Sequence, residues 1–233
     1  MRCFYCDNIP EKGGFAELDK RESSHLFKTL RARPGDMIQL MDGRGTLAEA
    51  EIDSNRNICL VSKNIHEEPL TKVCLFVAAP RKQKMDSLLK QCAEIGVWEI
   101  IPMITERSVS TPEKESVLER WKTILIEGCK QSGNPFIPAI RLPVKFSEAL
   151  ELVKESSIDA YFGSPRTEEE PEWTANAKKA WLVGPEGGFS ENEENAMFES
   201  GAKPLRVGPW TMRVETAAVC GAALFIYGKR FFQ

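Results

Sequence analysis

Two rhythms of apolar and polar positions divide the chain. Over residues 1–70 the apolar side chains alternate in short runs, Met37–Asp42 and Thr46–Asp53, joined by Gly43-Arg44-Gly45. A third run, Asn57–Ile65, follows Asn55-Arg56-Asn57. Alternation with period two predicts half-buried strands, and the glycine-bracketed link predicts a hairpin. Arg2–Cys6 reads as another strand. Between them Glu22–Arg31 has a helical pattern, closed off by Pro34-Gly35-Asp36. A small barrel or sandwich with one helix fits this first region.

Near Glu67-Glu68-Pro69 the rhythm changes. Val73–Ala79 is a continuous apolar run, the pattern of a strand covered on both faces. Asp86–Gly96 is helical, with Leu88, Leu89, Cys92 and Ala93 on one face, and Trp98–Ile104 is a strand. Thr111-Pro112 opens a further helix, threonine as N-cap and proline in the first turn, that runs to about Ser132. Ser147–Glu155 is a third helix, followed by strands at Ile158–Phe162, Ala180–Val183 and Leu205–Val207. Glu168–Glu172 reads as an acidic loop. Such alternation predicts an α/β domain with a largely parallel sheet over residues 71–233, behind a β-rich domain over 1–70.

Composition narrows the class. With 233 residues, 42% hydrophobic and 28% charged, the chain suits a globular protein of one large or two modest domains. Met1–Gly14 holds no apolar core segment of a secretory signal. The most apolar stretch, Val214–Tyr227, is shorter than the roughly 20 residues of a spanning helix and contains Glu215. It predicts a buried helix and no membrane association. Seven scattered cysteines fit a reducing cytoplasm rather than a disulfide framework. Cys3 and Cys6 form a lone C-x-x-C, with His25 and His66 the sole histidines, so no metal site is expected. A net charge of −3 argues mildly against a nucleic-acid partner. Phosphate binding depends on local potential, however, and two basic clusters stand out: Lys28, Arg31 and Arg33, and Arg81, Lys82 and Lys84. Solvated helix and loop faces are the other reading of both.

Ligands in open α/β sheets bind beyond the carboxyl ends of strands. Three such ends lead into glycine: Gly163-Ser164-Pro165, Gly184-Pro185-Glu186-Gly187-Gly188, and Gly208-Pro209-Trp210-Thr211-Met212-Arg213. Ser190-Glu191-Asn192-Glu193 is a capping box, so part of the second segment also reads as a helix start. No phosphate-cradling G-x-x-x-x-G-K-[ST], no strand-linked G-x-G-x-x-G and no G-x-S-x-G is present. From the residues alone, the site is lined by backbone and suited to a flat heterocycle, near Arg213 and the carboxylates Glu186 and Glu215.

Val183-Gly184-Pro185-Glu186-Gly187-Gly188-Phe189-Ser190, Val207-Gly208-Pro209 and Met212-Arg213-Val214-Glu215-Thr216-Ala217 resemble the signature of the RsmE-type 16S rRNA uridine-N3 methyltransferases. Arg2 with Phe4, His25 before Leu30-Arg31, Glu94-Ile95-Gly96, Glu106-Arg107-Ser108 and Gln131-Ser132 extend the likeness over nearly the whole chain. Two positions depart from it: Gly133-Asn134, where the family often has arginine, and Trp210, where smaller or aliphatic residues are common.

The resemblance implies a SPOUT-type parallel sheet with a C-terminal trefoil knot, an exception to the rule against threading, and a PUA-like N-terminal domain that helps hold RNA. It implies S-adenosylmethionine (SAM) as cofactor, 16S rRNA of the small ribosomal subunit as partner, and a homodimer. For SAM the implied contacts are Phe162, Gly163, Val183, Gly184, Pro185, Gly188, Leu205, Val207, Gly208, Met212, Thr216 and Ala217. For RNA they are Arg2, Arg31, Arg81, Lys82, Lys84 and Arg107. Arg213 is the candidate for stabilising the uracil anion, and Glu215 for accepting its proton, with a helix-start carboxylate as the other reading of Glu215. Ribose 2′-O methylation within the same superfamily and a catalytically silent RNA-binding assembly factor are the rival functions.

Overall fold

The computed structural model describes residues 2–109, 115–156, 158–165, 167 and 176–231. Thr111-Pro112 and the acidic stretch Glu168–Glu172 lie outside these described residues. The chain divides into two compact units, Met1–Glu68 with Ile126–Ile137, and Pro69–Leu125 with Pro138–Gln233. The main break thus falls two positions before the one expected from sequence rhythm, and a segment from the middle of the chain joins the first unit.

In the first unit β1 (Cys3–Tyr5), β2 (Phe15–Ala16), β3 (Met37–Met41), β4 (Thr46–Ile52) and β5 (Ile58–Ile65) form one sheet in the order β1-β3-β4-β5-β2. Alternation is realised most clearly in β4, where Thr46, Ala48, Ala50 and Ile52 are buried while Glu49 and Glu51 face solvent. Asp42 fixes the β3–β4 hairpin, its Oδ1 accepting from the amides of Arg44 (2.8 Å) and Thr46 (3.0 Å). The expected helix is interrupted. Helix α1 (Lys20–Ser24) gives way to a π-helical turn over His25–Thr29, and Arg31 follows with φ 54. Phe4, Leu26, Leu40, Ile52 and Leu60 fill the core.

The second unit is built on a seven-stranded sheet in which β6 (Lys72–Ala78), β7 (Glu99–Ile104), β10 (Asp159–Gly163), β11 (Lys178–Val183) and β12 (Lys203–Leu205) run parallel. The order is β12-β10-β11-β6-β7-β8, with the two-residue strands β8 (Ala139–Ile140) and β9 (Val144–Lys145) both against β7. β6 and β11 are adjacent and buried on both faces, which accounts for the apolar runs Val73–Ala78 and Ala180–Val183 within them. The strand expected at Leu205–Val207 instead ends at Leu205. It is a three-residue edge strand paired, among the described residues, with β10 alone, and Pro204 within it has no amide to donate. Strands β2, β8 and β9 are too short to show any periodicity.

Helix α2 (Lys82–Ile95) buries Met85, Leu88, Leu89, Cys92 and Ala93, and Gly96 closes it in the left-handed conformation. Helices α4 (Phe146–Glu155) and α5 (Glu191–Glu199) follow, α5 opened by the Ser190/Glu193 capping box. The described part of α3 is Glu115–Ser132. Helix α6 (Val214–Phe231) packs on α2, β6 and β11. Among the described residues no helix is long and apolar enough to cross a membrane.

Glycine 221 permits the closest part of that packing. A Cβ at this position would overlap the Trp181 indole of β11, whose Nε1 donates to the Ala217 carbonyl of α6 at 3.1 Å. Helix propensity alone would make Gly221→Ala stabilising by about 1 kcal/mol. The overlap should reverse the sign, with a loss of about 1–3 kcal/mol from overpacking. Urea denaturation of the two proteins measures the difference, and a more stable variant would show that the helix–strand contact is looser than described.

Candidate functional site

Because β10, β11 and β12 are neighbours and parallel, their carboxyl ends open on the same edge of the sheet. Their three loops and the first turn of α6 line one cavity, with Trp181 among its walls. The β11 loop begins with a turn in which the Gly188 amide donates to the Pro185 carbonyl at 2.8 Å. Gly188 has φ 71, a conformation that side chains rarely tolerate, so glycine here is a backbone requirement. Beyond β12, Arg206 folds its guanidinium back onto the carbonyls of Gly208 (3.2 Å) and Pro209 (2.8 Å), which gives the third loop its curl.

Two further contacts hold the β11 loop. Arg107 Nη1 donates to the Gly187 carbonyl at 2.9 Å and to that of Phe189 at 3.3 Å. Glu193, buried at the start of α5, accepts from the Glu106 amide at 2.8 Å and from the Ser190 amide at 2.9 Å. One carboxylate therefore ties the loop after β7 to the loop after β11. On the α6 side, Lys84 donates to Glu186 at 3.3 Å and lies 3.8 Å from Glu215 Oε2. That Glu215 oxygen is buried and has no hydrogen-bond partner.

Of the cofactor residues implied by resemblance, Gly163, Val183, Gly184, Pro185, Gly188, Leu205, Val207, Gly208, Met212 and Ala217 line the cavity. Phe162 does not; it is fully buried in the core, its ring edge-on to those of Phe189 and Phe198. Thr216 is exposed, and its neighbours Val214 and Ala217 line the cavity. Arg213 is exposed next to the cavity, without a side-chain partner among the described residues. Of the residues expected at RNA, Lys84 donates to Glu186 and Arg107 to carbonyls of the β11 loop. Arg81 and Lys82 remain exposed on the second unit, Arg2 and Arg31 on the first. Sequence reasoning missed Trp181, Phe189 and Arg206. An apolar run announces burial and does not say which of its members will face a ligand. Trp210 also lines the cavity and is 82% exposed.

Backbone groups, apolar walls and a few charged side chains at a strand-end cavity define a site for a flat polar ligand rather than for a metal. Among the described residues no group of three or more His, Cys, Asp or Glu side chains could hold one. The class is an α/β ligand-binding unit with a small β-rich unit before it. The chain belongs to the RNA methyltransferase family: the model of the RNA methyltransferase domain matches residues 66–226, and that of the RNA methyltransferase PUA domain matches residues 18–63.

Among its relatives is the ribosomal RNA small subunit methyltransferase E of Aquifex aeolicus, 29% identical over 226 residues, which are 94% of this chain and 96% of that one. The protein of the same name from Synechocystis is 28% identical over 85% of this chain and 68% of its own. A solved structure of ribosomal RNA small subunit methyltransferase E from Neisseria gonorrhoeae, bound to S-adenosyl methionine, superimposes with a TM-score of 0.86 at 27% identity, covering 96% of this chain and 95% of that one.

If the Glu193 carboxylate shapes the cavity by joining two loops, Glu193→Ala should leave the buried Ser190 amide and the partly buried Glu106 amide without that acceptor. A stability loss of about 1–3 kcal/mol is expected, together with weaker binding of SAM by calorimetry. Unchanged affinity in a destabilised variant would make Glu193 a helix cap only.

Proposed function

We propose that this chain transfers the methyl group of SAM to N3 of a uridine in small-subunit ribosomal RNA. The buried Glu215 Oε2, free of hydrogen bonds beside the cavity, carries the proposal. N3 of uridine is protonated at neutral pH, and methylation there requires an acceptor for that proton. A carboxylate oxygen with unused lone pairs is such an acceptor. A ribose hydroxyl, a weaker acid than N3, would also have to lose its proton, and it is the RsmE-type motif Met212-Arg213-Val214-Glu215-Thr216-Ala217 that favours N3.

SAM suits the cavity by its chemistry. Backbone amides and carbonyls from Val183 to Gly188 and from Leu205 to Gly208 match the edge of an adenine, and Trp181 and Met212 supply apolar wall. When bound, SAM supplies an electrophilic methyl group. The chain's own residues do the rest: the loops hold the reacting atoms in line, a large part of the rate advantage, Glu215 accepts the N3 proton, and the exposed guanidinium of Arg213 stabilises the negative charge that spreads over the uracil oxygens.

The same reading includes a trefoil knot formed by the chain through β10, β11 and β12, a cytoplasmic setting that suits seven free thiols, and a homodimer. Support for the dimer comes from α6, where Cys220 is exposed and Val219, Ala223, Leu224 and Ile226 are only partly covered. A second copy would bury that apolar face.

Mass spectrometry of small-subunit rRNA nucleosides, with and without the protein, should find 3-methyluridine only when it is present; a 2′-O-methyl nucleoside in its place would overturn the proposal. Light scattering at micromolar concentration should report two copies, and a monomer would remove the dimer. Arg213→Ala should slow single-turnover methylation by about 100-fold or more while SAM affinity stays near wild type, with Arg213→Lys recovering only part because the planar fork is lost. A folded Arg213→Ala enzyme at full rate would leave that arginine a structural role. Glu215→Gln, which keeps shape and removes the acceptor, should behave like Arg213→Ala.

A further inference from the structure

We propose that the first unit carries a separate RNA subsite, a pocket that takes one unpaired nucleobase, stacked on His25 and hydrogen-bonded to Gln131, with Arg2 on its phosphate. The proposal rests on the reading of the chain as an RNA methyltransferase and names a part of the substrate that is not the reacting uridine.

The pocket is lined by Arg2, Phe4, His25, Leu30, Lys130 and Gln131, with Cys3 in its wall and with Glu127, whose carboxylate is paired with Lys130 and with Arg21, each at 3.2 Å. Its rim is built on unusual backbone. At His25 the helix widens into the π turn, the Leu30 amide donating to the His25 carbonyl at 3.0 Å, and Arg31 then turns with φ 54. Inserted π turns and non-glycine residues at positive φ cost free energy, and they concentrate where a protein binds or reacts. Here the turn sets the His25 ring 6.1 Å from the buried Phe4 ring, tilted by 49°, while His25 itself stays exposed. An aromatic face backed by a second aromatic and open to solvent is a stacking platform.

The charge in the pocket selects the ligand. Lys130 is only 9% exposed at its side chain, and its ammonium donates to both oxygens of Glu22, at 2.9 and 3.0 Å, and to Glu127 at 3.2 Å. All three donors are thus used and the charge is offset. Burial pushes the Cys3 thiol up to about 11, so it adds a neutral wall. What remains unpartnered among the described residues is the Gln131 amide, the His25 ring edge and the exposed Arg2 guanidinium. A bare phosphate or an acidic peptide would call for more uncompensated cation than one arginine. A heterocycle with donors and acceptors on its edge, carrying a single phosphate, matches what is offered. Bases inside a duplex present no free face, so the RNA must be single-stranded at this point.

The test uses the full chain and fluorescence anisotropy with a short labelled single-stranded RNA and its duplex. His25→Ala and Gln131→Ala should each weaken single-strand binding by about tenfold, the range of one lost stacking or base contact, with the salt slope unchanged. His25→Phe should restore it, because the ring face is kept. Arg2→Ala should weaken binding and lower the salt slope by about 0.7, one phosphate of a single strand. All four variants should bind SAM as the wild type does. Wild-type RNA affinity in folded His25→Ala and Gln131→Ala proteins would overturn the subsite, as would equal loss of duplex binding. If the variants bind RNA normally while rRNA is still methylated, the subsite alone falls. If they lose RNA binding while the wild type methylates no rRNA, the subsite stands and the proposed reaction falls.

Discussion

The contact between α6 and β11 sets the geometry on which the site depends. Gly221 lets the helix approach the Trp181 indole, and the Trp181 Nε1 to Ala217 carbonyl bond at 3.1 Å fixes its height along the strand. Tyr227, further along the helix, donates to the Ile95 carbonyl at the end of α2 at 2.8 Å, so slipping along the strand is resisted at two places. With the helix pinned, its first turn must begin beside the exit of β11. Val214 and Ala217 therefore face the same cavity as the loops that follow β10, β11 and β12. Were the helix one turn displaced, Val214 and Ala217 would leave the cavity together, because both positions follow from the same anchor.

Charge around the cavity is arranged so that its backbone surface stays available. Lys84 stands between Glu186 on the β11 loop and Glu215 on α6, and its distance to Glu215, 3.8 Å, is too long for a hydrogen bond. Glu186 is thus held in place while Glu215 keeps one oxygen unused. Arg107 and Arg206 spend their guanidinium groups on loop carbonyls. Each braces a loop from the side, a role that lysine, without the planar fork, would fill less well. Lys84 and Arg107 brace the cavity's loops without lining it, whereas Arg206 braces its loop from the cavity wall.

Much of this was legible in the sequence where a local pattern has a single physical cause. Val73–Ala78 in β6 and Ala180–Val183 in β11 are apolar because both faces are covered there, and Ser190 with Glu193 forms the capping box that their spacing announces. Three glycine-led strand exits were readable, and they meet at one cavity. Their neighbours were harder. Phe162 sits beside Gly163 in sequence but points into the core, because successive residues of a strand face opposite sides. Lys84, in a basic cluster, and Arg107 were expected at RNA, and nothing nearby in sequence announces the contacts that they make within the protein. Their partners, Glu186 and Gly187, are 102 and 80 residues away. The family itself came from motif resemblance, not from periodicity.

The division of the chain shows the same limit at a larger scale. Hydropathy rhythm places one break near residue 70, yet the segment Ile126–Ile137 belongs with the first unit. The bond that recruits it is polar. Glu22, buried, receives Lys130 from 108 residues away and also accepts from the Tyr5 amide at 3.1 Å, so a single carboxylate joins β1, α1 and the returning segment. At the segment's other end the Gly45 amide donates to the Pro135 carbonyl at 3.0 Å and the Ile137 amide to that of Gly43 at 3.0 Å, which adds it to the β3–β4 hairpin. A buried ion pair gives little net stability over an apolar pair of the same size, but breaking it leaves one charge stranded at a cost of several kcal/mol. Its effect is therefore to disfavour alternatives: the segment either docks with Lys130 on Glu22 or leaves the buried Glu22 carboxylate without its cation. A scale that scores each residue alone sees only a lysine and a glutamate, both of types expected at the surface, so an interaction that fixes the first unit's composition leaves no mark in the hydropathy pattern.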